Sequence, residues 1–224
     1  MRSLFGDSKY SMVLTIGLIV IVIAIFGLLG YFGYSIYQKY YGAKQVGQAI
    51  TEFENQFDPV YKEDTGEEDT GAILDPYGDT TVTANQSGKR AQLGGYDILG
   101  TIEIPKTKVK YPILAEVTTK SLKLAVAKLY GPNLNQPGNV VIAGHNYRDG
   151  SFFGRNAQLK NGDKIYITDE TGTRVEYVIY NVYTAPENDS SYFVRDTKGL
   201  REISLTTCTD DSKARTIIWA RENI

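Results

Sequence analysis

Cysteine and histidine each occur once in these 224 residues, as Cys208 and His145. A single cysteine excludes an internal disulfide, so thiol usage leaves the compartment open. A single histidine beside a single cysteine offers no ligand spacing for zinc, and neither a metal nor another cofactor is expected. Lysine and arginine number 24 against 26 aspartates and glutamates, a formal net charge of −2 with no basic footprint for nucleic acid. Charge is missing altogether between Tyr10 and Gln38. Together these absences exclude disulfide scaffolds, zinc modules and nucleic-acid binders.

The uncharged stretch is the first feature with a positive meaning. Met12 to Tyr34 reads MVLTIGLIVIVIAIFGLLGYFGY, longer than the ~20 apolar residues that cross a hydrocarbon core. Tyr31, Phe32, Tyr34, Tyr37, Tyr40 and Tyr41 gather at one end, as interfacial aromatic belts do. The apolar core is too long for a cleaved signal and lacks an A-x-A-like site. Ile19 to Ile25 also carries no polar stripe, which a buried core helix of a soluble protein would show. A membrane helix over 12–34 is therefore expected, with residues 1–11 as a short cytoplasmic terminus. Arg2 and Lys9 against Lys39 and Lys44 give a slight lean toward that orientation, which puts the rest of the chain outside.

Residues 35–94 read as an extracellular acidic linker. Glu52, Glu54, Asp58, Glu63, Asp64, Glu67, Glu68, Asp69, Asp75 and Asp79 outnumber the nearby cations, and such a segment buries too little apolar surface to order itself. Val46, Ile50 and Phe53 at helical spacing extend the membrane helix through 42–57, and no regular structure is expected from Tyr61 to Leu93.

Residues 95–224 form the folded domain. Apolar and β-branched runs at 98–105, 109–114, 140–145, 164–168, 174–183, 203–208 and 216–220 read as short strands separated by turn signals. Asp169 to Thr173 turns a hairpin, and a loop runs from Thr184 to Leu200. Thr118 or Thr119 caps a helix carrying Leu122, Ala125, Val126 and Leu129, stopped by Gly131-Pro132. One short helical turn is expected within 152–159. This pattern favours a closed all-β barrel or a sandwich over an α/β layer fold.

The chemistry sits at strand ends. Val140-Val141-Ile142-Ala143-Gly144 runs into His145, and Ile203-Ser204-Leu205-Thr206-Thr207 runs into Cys208. Arg215 opens the next apolar run. A thiol, an imidazole and a guanidinium at three strand mouths are the parts of a cysteine acyl-transfer site. Only the thiolate attacks well, and a base or a nearby cation raises its share. Arg215 stays protonated and so serves as clamp and oxyanion donor, while His145 serves as acid and base. A lone cysteine in a strand is commonly a small buried hydrophobe; here the polar loop Thr209 to Lys213 follows it at once.

Ser204-Leu205-Thr206-Thr207-Cys208 resembles the T-L-x-T-C signature of sortases, and Gly144-His145-Asn146 resembles their G-H-x segment. Gly100-Thr101-Ile102-Glu103-Ile104-Pro105 is similar to the family's usual domain start, and Ser204 replaces its first signature threonine. The resemblance implies an eight-stranded barrel and a membrane-anchored cysteine transpeptidase on a Gram-positive cell surface. Such enzymes cleave an LPXTG-like sorting signal through a thioester and pass the acyl group to an amine of the cell wall or of a pilin. By this resemblance Cys208 is the nucleophile, His145 the general acid and base, and Arg215 the clamp. Thr207 is implied in binding the signal or lining the oxyanion site.

Asp75-Pro76-Tyr77 resembles the Asp-Pro-aromatic lid of pilus-building sortases, so Asp75 and Tyr77 are candidate lid residues; the tripeptide is also a common turn. Tyr192 and Phe193 lie in the 184–200 loop, where they either contact the apolar start of a signal or pin the loop to the barrel. Trp219 reads as packing. Carboxylates near Asp169-Glu170 and Glu187-Asp189 read as solvated turns, with calcium as the alternative. A papain-like hydrolase orders cysteine before histidine and places it on a helix, unlike this chain. An L,D-transpeptidase would carry an S-x-G-C-like pattern, which is absent. The non-enzymatic alternative is a membrane-tethered adhesive domain with a buried Cys208.

Overall fold

The computed structural model describes residues 9–56, 90–147 and 149–224. Asp75 and Tyr77 lie outside the described residues. The chain divides into two units, residues 1–45 and 46–224.

The first unit holds most of helix α1, Lys9–Glu54. From Met12 onward it is long and apolar enough to cross a membrane, and its apolar side chains through Tyr41 are exposed. The helix continues past the expected 12–34 span, as the spacing of Val46, Ile50 and Phe53 predicts. Its last two turns belong to the second unit. There Phe53 is 1% exposed and joins the main core with Ala49, while Glu54 pairs with Lys110 at 2.9 Å.

In the second unit the strands are β1 (Gln92–Leu93), β2 (Tyr96–Ile104), β3 (Val109–Leu114), β4 (Val126–Tyr130), β5 (Gly138–Ala143), β6 (Lys164–Asp169), β7 (Arg174–Pro186), β8 (Arg201–Cys208) and β9 (Ala214–Glu222). Hydrogen bonding runs β2-β3-β4-β5-β8-β9-β7-β6 and returns to β2 through the β2–β6 pair. This is an eight-stranded closed barrel, and β1 is a two-residue addition to β2. Closure removes free sheet edges, which such short strands would otherwise expose.

Alternation along the strands sorts the side chains. Ile203 and Leu205 of β8, Val140 and Ile142 of β5 and Ile218 and Ala220 of β9 fill the main core. Their neighbours Val141 and Ile217 face the other way and form a second apolar cluster with Ala185 and Tyr192.

The expected helix after Thr118 is a single 3₁₀ turn, Ser121–Lys123. The residue at its N-cap is Lys120, with no side-chain cap, while Thr118 accepts from the Ser121 amide at 2.9 Å. Beyond it, Val126 to Tyr130 is strand β4. Val126 pairs in parallel with Ile113, and Ala127 pairs with Ala143 on the other side. A short strand without clear alternation cannot be told from a helix by period. The other helical turn, Asn156–Gln158, forms where expected.

Candidate active site

β5 and β8 run in parallel and in register from Gly138↔Arg201 to Ala143↔Thr206. The ladder continues as Gly144 donates its amide to the Thr206 carbonyl at 3.1 Å. Two residues on from the last paired rung stand His145, just past the end of β5, and Cys208, the last residue of β8. Asn146 ties the two segments together. Its side-chain amide donates to the Cys208 carbonyl at 2.9 Å and to Asp210 Oδ1 at 2.9 Å.

Gly144 is what lets the histidine segment sit this close. A Cβ there would stand 2.6 Å from Phe153 Cδ2 and 2.9 Å from Val126 Cγ1. The Phe153 amide donates to the His145 carbonyl at 3.0 Å, and Asn146 bridges Phe152. Phe152 has φ +52°, an uncommon conformation for a bulky residue, and stacks on Tyr111 at 4.9 Å. Tyr147 lies between this stack and the imidazole, 5.2 Å from the His145 ring. The half-buried imidazole titrates below its ordinary value, first because burial disfavours its charged form and then because Lys123 is positive nearby.

On the other side, β8 and β9 are antiparallel and Cys208 faces Arg215 directly. Their side chains share a face, and Arg215 Nη1 donates to Cys208 Sγ. Arg215 Nη2 donates to Glu187 Oε1 at 2.9 Å, just past the end of β7, where Ala185 pairs with Arg215. The cysteine is partly exposed. Thus the sulfur, the guanidinium and the imidazole segment meet at one end of adjacent strands.

The remaining sequence candidates fall elsewhere. Thr207 is 4% exposed and, by alternation, shares the inward face of Leu205 rather than that of Cys208. Its hydroxyl has no hydrogen-bond partner among the described residues. Its side chain is therefore not brought to the sulfur. Tyr192 is 4% exposed, and its hydroxyl donates to Thr206 Oγ1 at 3.2 Å. Phe193 lines a cavity of about 390 Å³ with Tyr130, Pro132 and Asn139, toward the start of β5 and away from Cys208. Trp219 joins the second cluster, beneath the Arg195 guanidinium at 4.3 Å. Glu187, read from the sequence as a solvated turn, reaches the site through Arg215, and no local pattern signals that contact. No cluster suited to a metal ion occurs among the described residues.

The sortase-domain family model matches residues 102–223, from within β2 to the end of β9, and takes in all three strand-end residues. The chain belongs to the sortase family. It is 33% identical to a sortase A of Bacillus anthracis over 127 residues, 55% of this chain and 59% of that protein. This sortase thus spans a little over half the length of that curated relative. Among solved structures it is similar to a Clostridium perfringens sortase D5 transpeptidase, with TM-score 0.59 and 21% identity over 81% of this chain and 99% of the other. It is also similar to Clostridium perfringens sortase C with its C-terminal cell wall sorting motif, with TM-score 0.50 and 22% identity over 59% and 77% of the two chains. At these identities the structural likenesses speak for the fold.

Proposed function

We propose that this sortase is a cysteine transpeptidase anchored by α1, with its barrel on the outer face of a Gram-positive cell. Its substrate is an LPXTG-like sorting signal of secreted proteins, and its acceptor is an amine of the cell wall or of a pilin subunit. The observation that carries this reading is the Cys208–Arg215 rung, with His145 two residues past the end of the adjoining strand β5.

In this reading the Cys208 thiolate attacks the carbonyl carbon of the signal's threonine. A cation held on the sulfur favours the charged nucleophile. As the carbonyl oxygen gains negative charge, Arg215 turns its N–H donors to it; loss of one such donor typically costs on the order of 10²–10³ in rate. The imidazolium of His145 gives its proton to the departing amine as the C–N bond breaks, leaving a thioester and neutral imidazole. An incoming amine then attacks the thioester, His145 takes its proton, and the thiolate leaves. Atoms and charge return to the starting state. Burial and the nearby Lys123 hold the His145 titration below its ordinary value, which makes its imidazolium the readier proton donor to the departing amine.

The relative solved with a cell wall sorting motif supports a peptide signal as substrate class. The test is full-length protein in detergent with a panel of sorting-signal peptides, with and without glycine amines, and with products identified by mass. Amine-dependent transfer products absent from Cys208→Ala are expected. Hydrolysis products alone would favour a protease, and no product from any peptide would favour the adhesive domain.

A further inference from the structure

Arg215 is held from two sides. One nitrogen donates to the Cys208 sulfur and the other to Glu187, the first residue after β7. We propose that Glu187 is a positioning residue that orients the Arg215 guanidinium toward the sulfur and the reacting carbonyl. The inference rests on the acyl-transfer reading of Cys208, His145 and Arg215.

An arginine has five donors on a flexible stem, and its planar fork becomes useful only when its rotation is fixed. A carboxylate on one nitrogen fixes that rotation. The Arg215 side chain is 25% exposed and that of Glu187 is 63% exposed, so their mutual attraction adds little to stability. Its consequence lies in orientation. The backbone that carries Glu187 is held at both ends. Before it, Ala185 is paired with Arg215 itself. After it, Tyr192 is buried, and its carbonyl accepts from Asn139 Nδ2 at 2.9 Å. Arg195 then fixes the loop's far half through Glu202 and through Asn139 at 2.8 Å. Glu187 is thus delivered from a tethered loop, against the open side of the guanidinium.

A carboxylate acting only through its charge has the opposite consequence from one that orients. Charge alone weakens the cation's support of the thiolate, so removing it speeds alkylation of Cys208. Orientation supplies that support, so removing it slows alkylation. The experiment measures alkylation of Cys208 by iodoacetamide across pH 6–9, together with kcat and KM for peptide transfer, in full-length protein. The variants are E187A, E187Q, R215A and R215A/E187A. The expected result is slower alkylation in E187A and a fall in kcat of about 10-fold with KM changed less than about twofold. E187Q, which keeps an acceptor oxygen, recovers most of both losses. In the R215A background E187A adds nothing, because the two act as one unit. Faster alkylation in E187A, an unchanged kcat, or an independent E187A loss in the R215A background would each overturn the proposal. Alkylation needs no peptide, so it decides the role of Glu187 even if the wild type transfers no acyl group, an outcome that counts against the acyl-transfer reading.

Discussion

The Asn146 side chain donates to the Cys208 carbonyl at 2.9 Å, so the residue after the histidine holds the backbone of the cysteine. Catalytic geometry of this kind tolerates little displacement, since a misplacement of about 1 Å can cost on the order of 10²-fold. Asn146→Ala is expected to lower kcat roughly 10- to 100-fold. Its effect on stability should stay within about 2–3 kcal/mol, the typical worth of the two hydrogen bonds it loses, to the Cys208 carbonyl and to Asp210. Transfer kinetics beside urea unfolding separate the two; equal losses in both would assign Asn146 to folding alone.

Gly144 sets the same geometry from the chain before His145. A methyl group there meets the Phe153 ring and Val126, with contacts of 2.6 and 2.9 Å. Gly144→Ala should cost about 1–3 kcal/mol by overpacking and depress activity by more than that loss of folded fraction explains. The check is specific activity per folded molecule, with Phe153→Leu as the relieving second substitution.

The end of α1 is part of the barrel's core, although its sequence continues a membrane helix. Phe53→Ala should destabilise the barrel by about 3–5 kcal/mol, as for other fully buried aromatics. Lys110→Ala, which breaks the half-exposed pair with Glu54, should change stability by less than ~1 kcal/mol. Urea unfolding followed by near-UV dichroism reads both. An intact midpoint for Phe53→Ala would show that the contact adds nothing.

His145 makes stability depend on pH with a fixed sign. Its folded value lies below the ordinary value of about 6.5, because burial and Lys123 disfavour the imidazolium. The unfolded chain therefore binds the proton more readily. Stability is fully present above about pH 6.5 and is lost as pH falls through the depressed folded value. Acidification from pH 7.5 to 5 should lower the urea midpoint of the wild type more than that of His145→Asn. Parallel pH curves for the two proteins would contradict this.

Much of this arrangement is legible in the sequence, and the part that is not has physical reasons. Apolar, β-branched runs and turn residues mark β5, β6, β7 and β8, and the polar residues after Cys208 and His145 mark where their strands stop. β4 is hidden because its apolar residues continue the helix-like spacing that starts at Leu122, and its place as a strand is set by pairing with β3 and β5. Thr207 reads as a neighbour of the sulfur, yet the pleat sends adjacent side chains to opposite faces. Glu187 and the docking of Phe53 depend on contacts between distant parts of the chain, to which local pattern is blind. Tyr192 is ambiguous in sequence because an aromatic ring in a loop suits a ligand and a core equally; in the fold it packs with Val141 and donates to Thr206.

The central claim is that the Cys208 sulfur carries the acyl group. Intact-mass analysis of full-length protein, mixed with a sorting-signal peptide and no amine, tests it most directly. The account predicts an adduct equal to the acyl fragment, located on Cys208, removed by hydroxylamine and absent from Cys208→Ala. Peptide turnover with no such adduct, undiminished in Cys208→Ala, would contradict it.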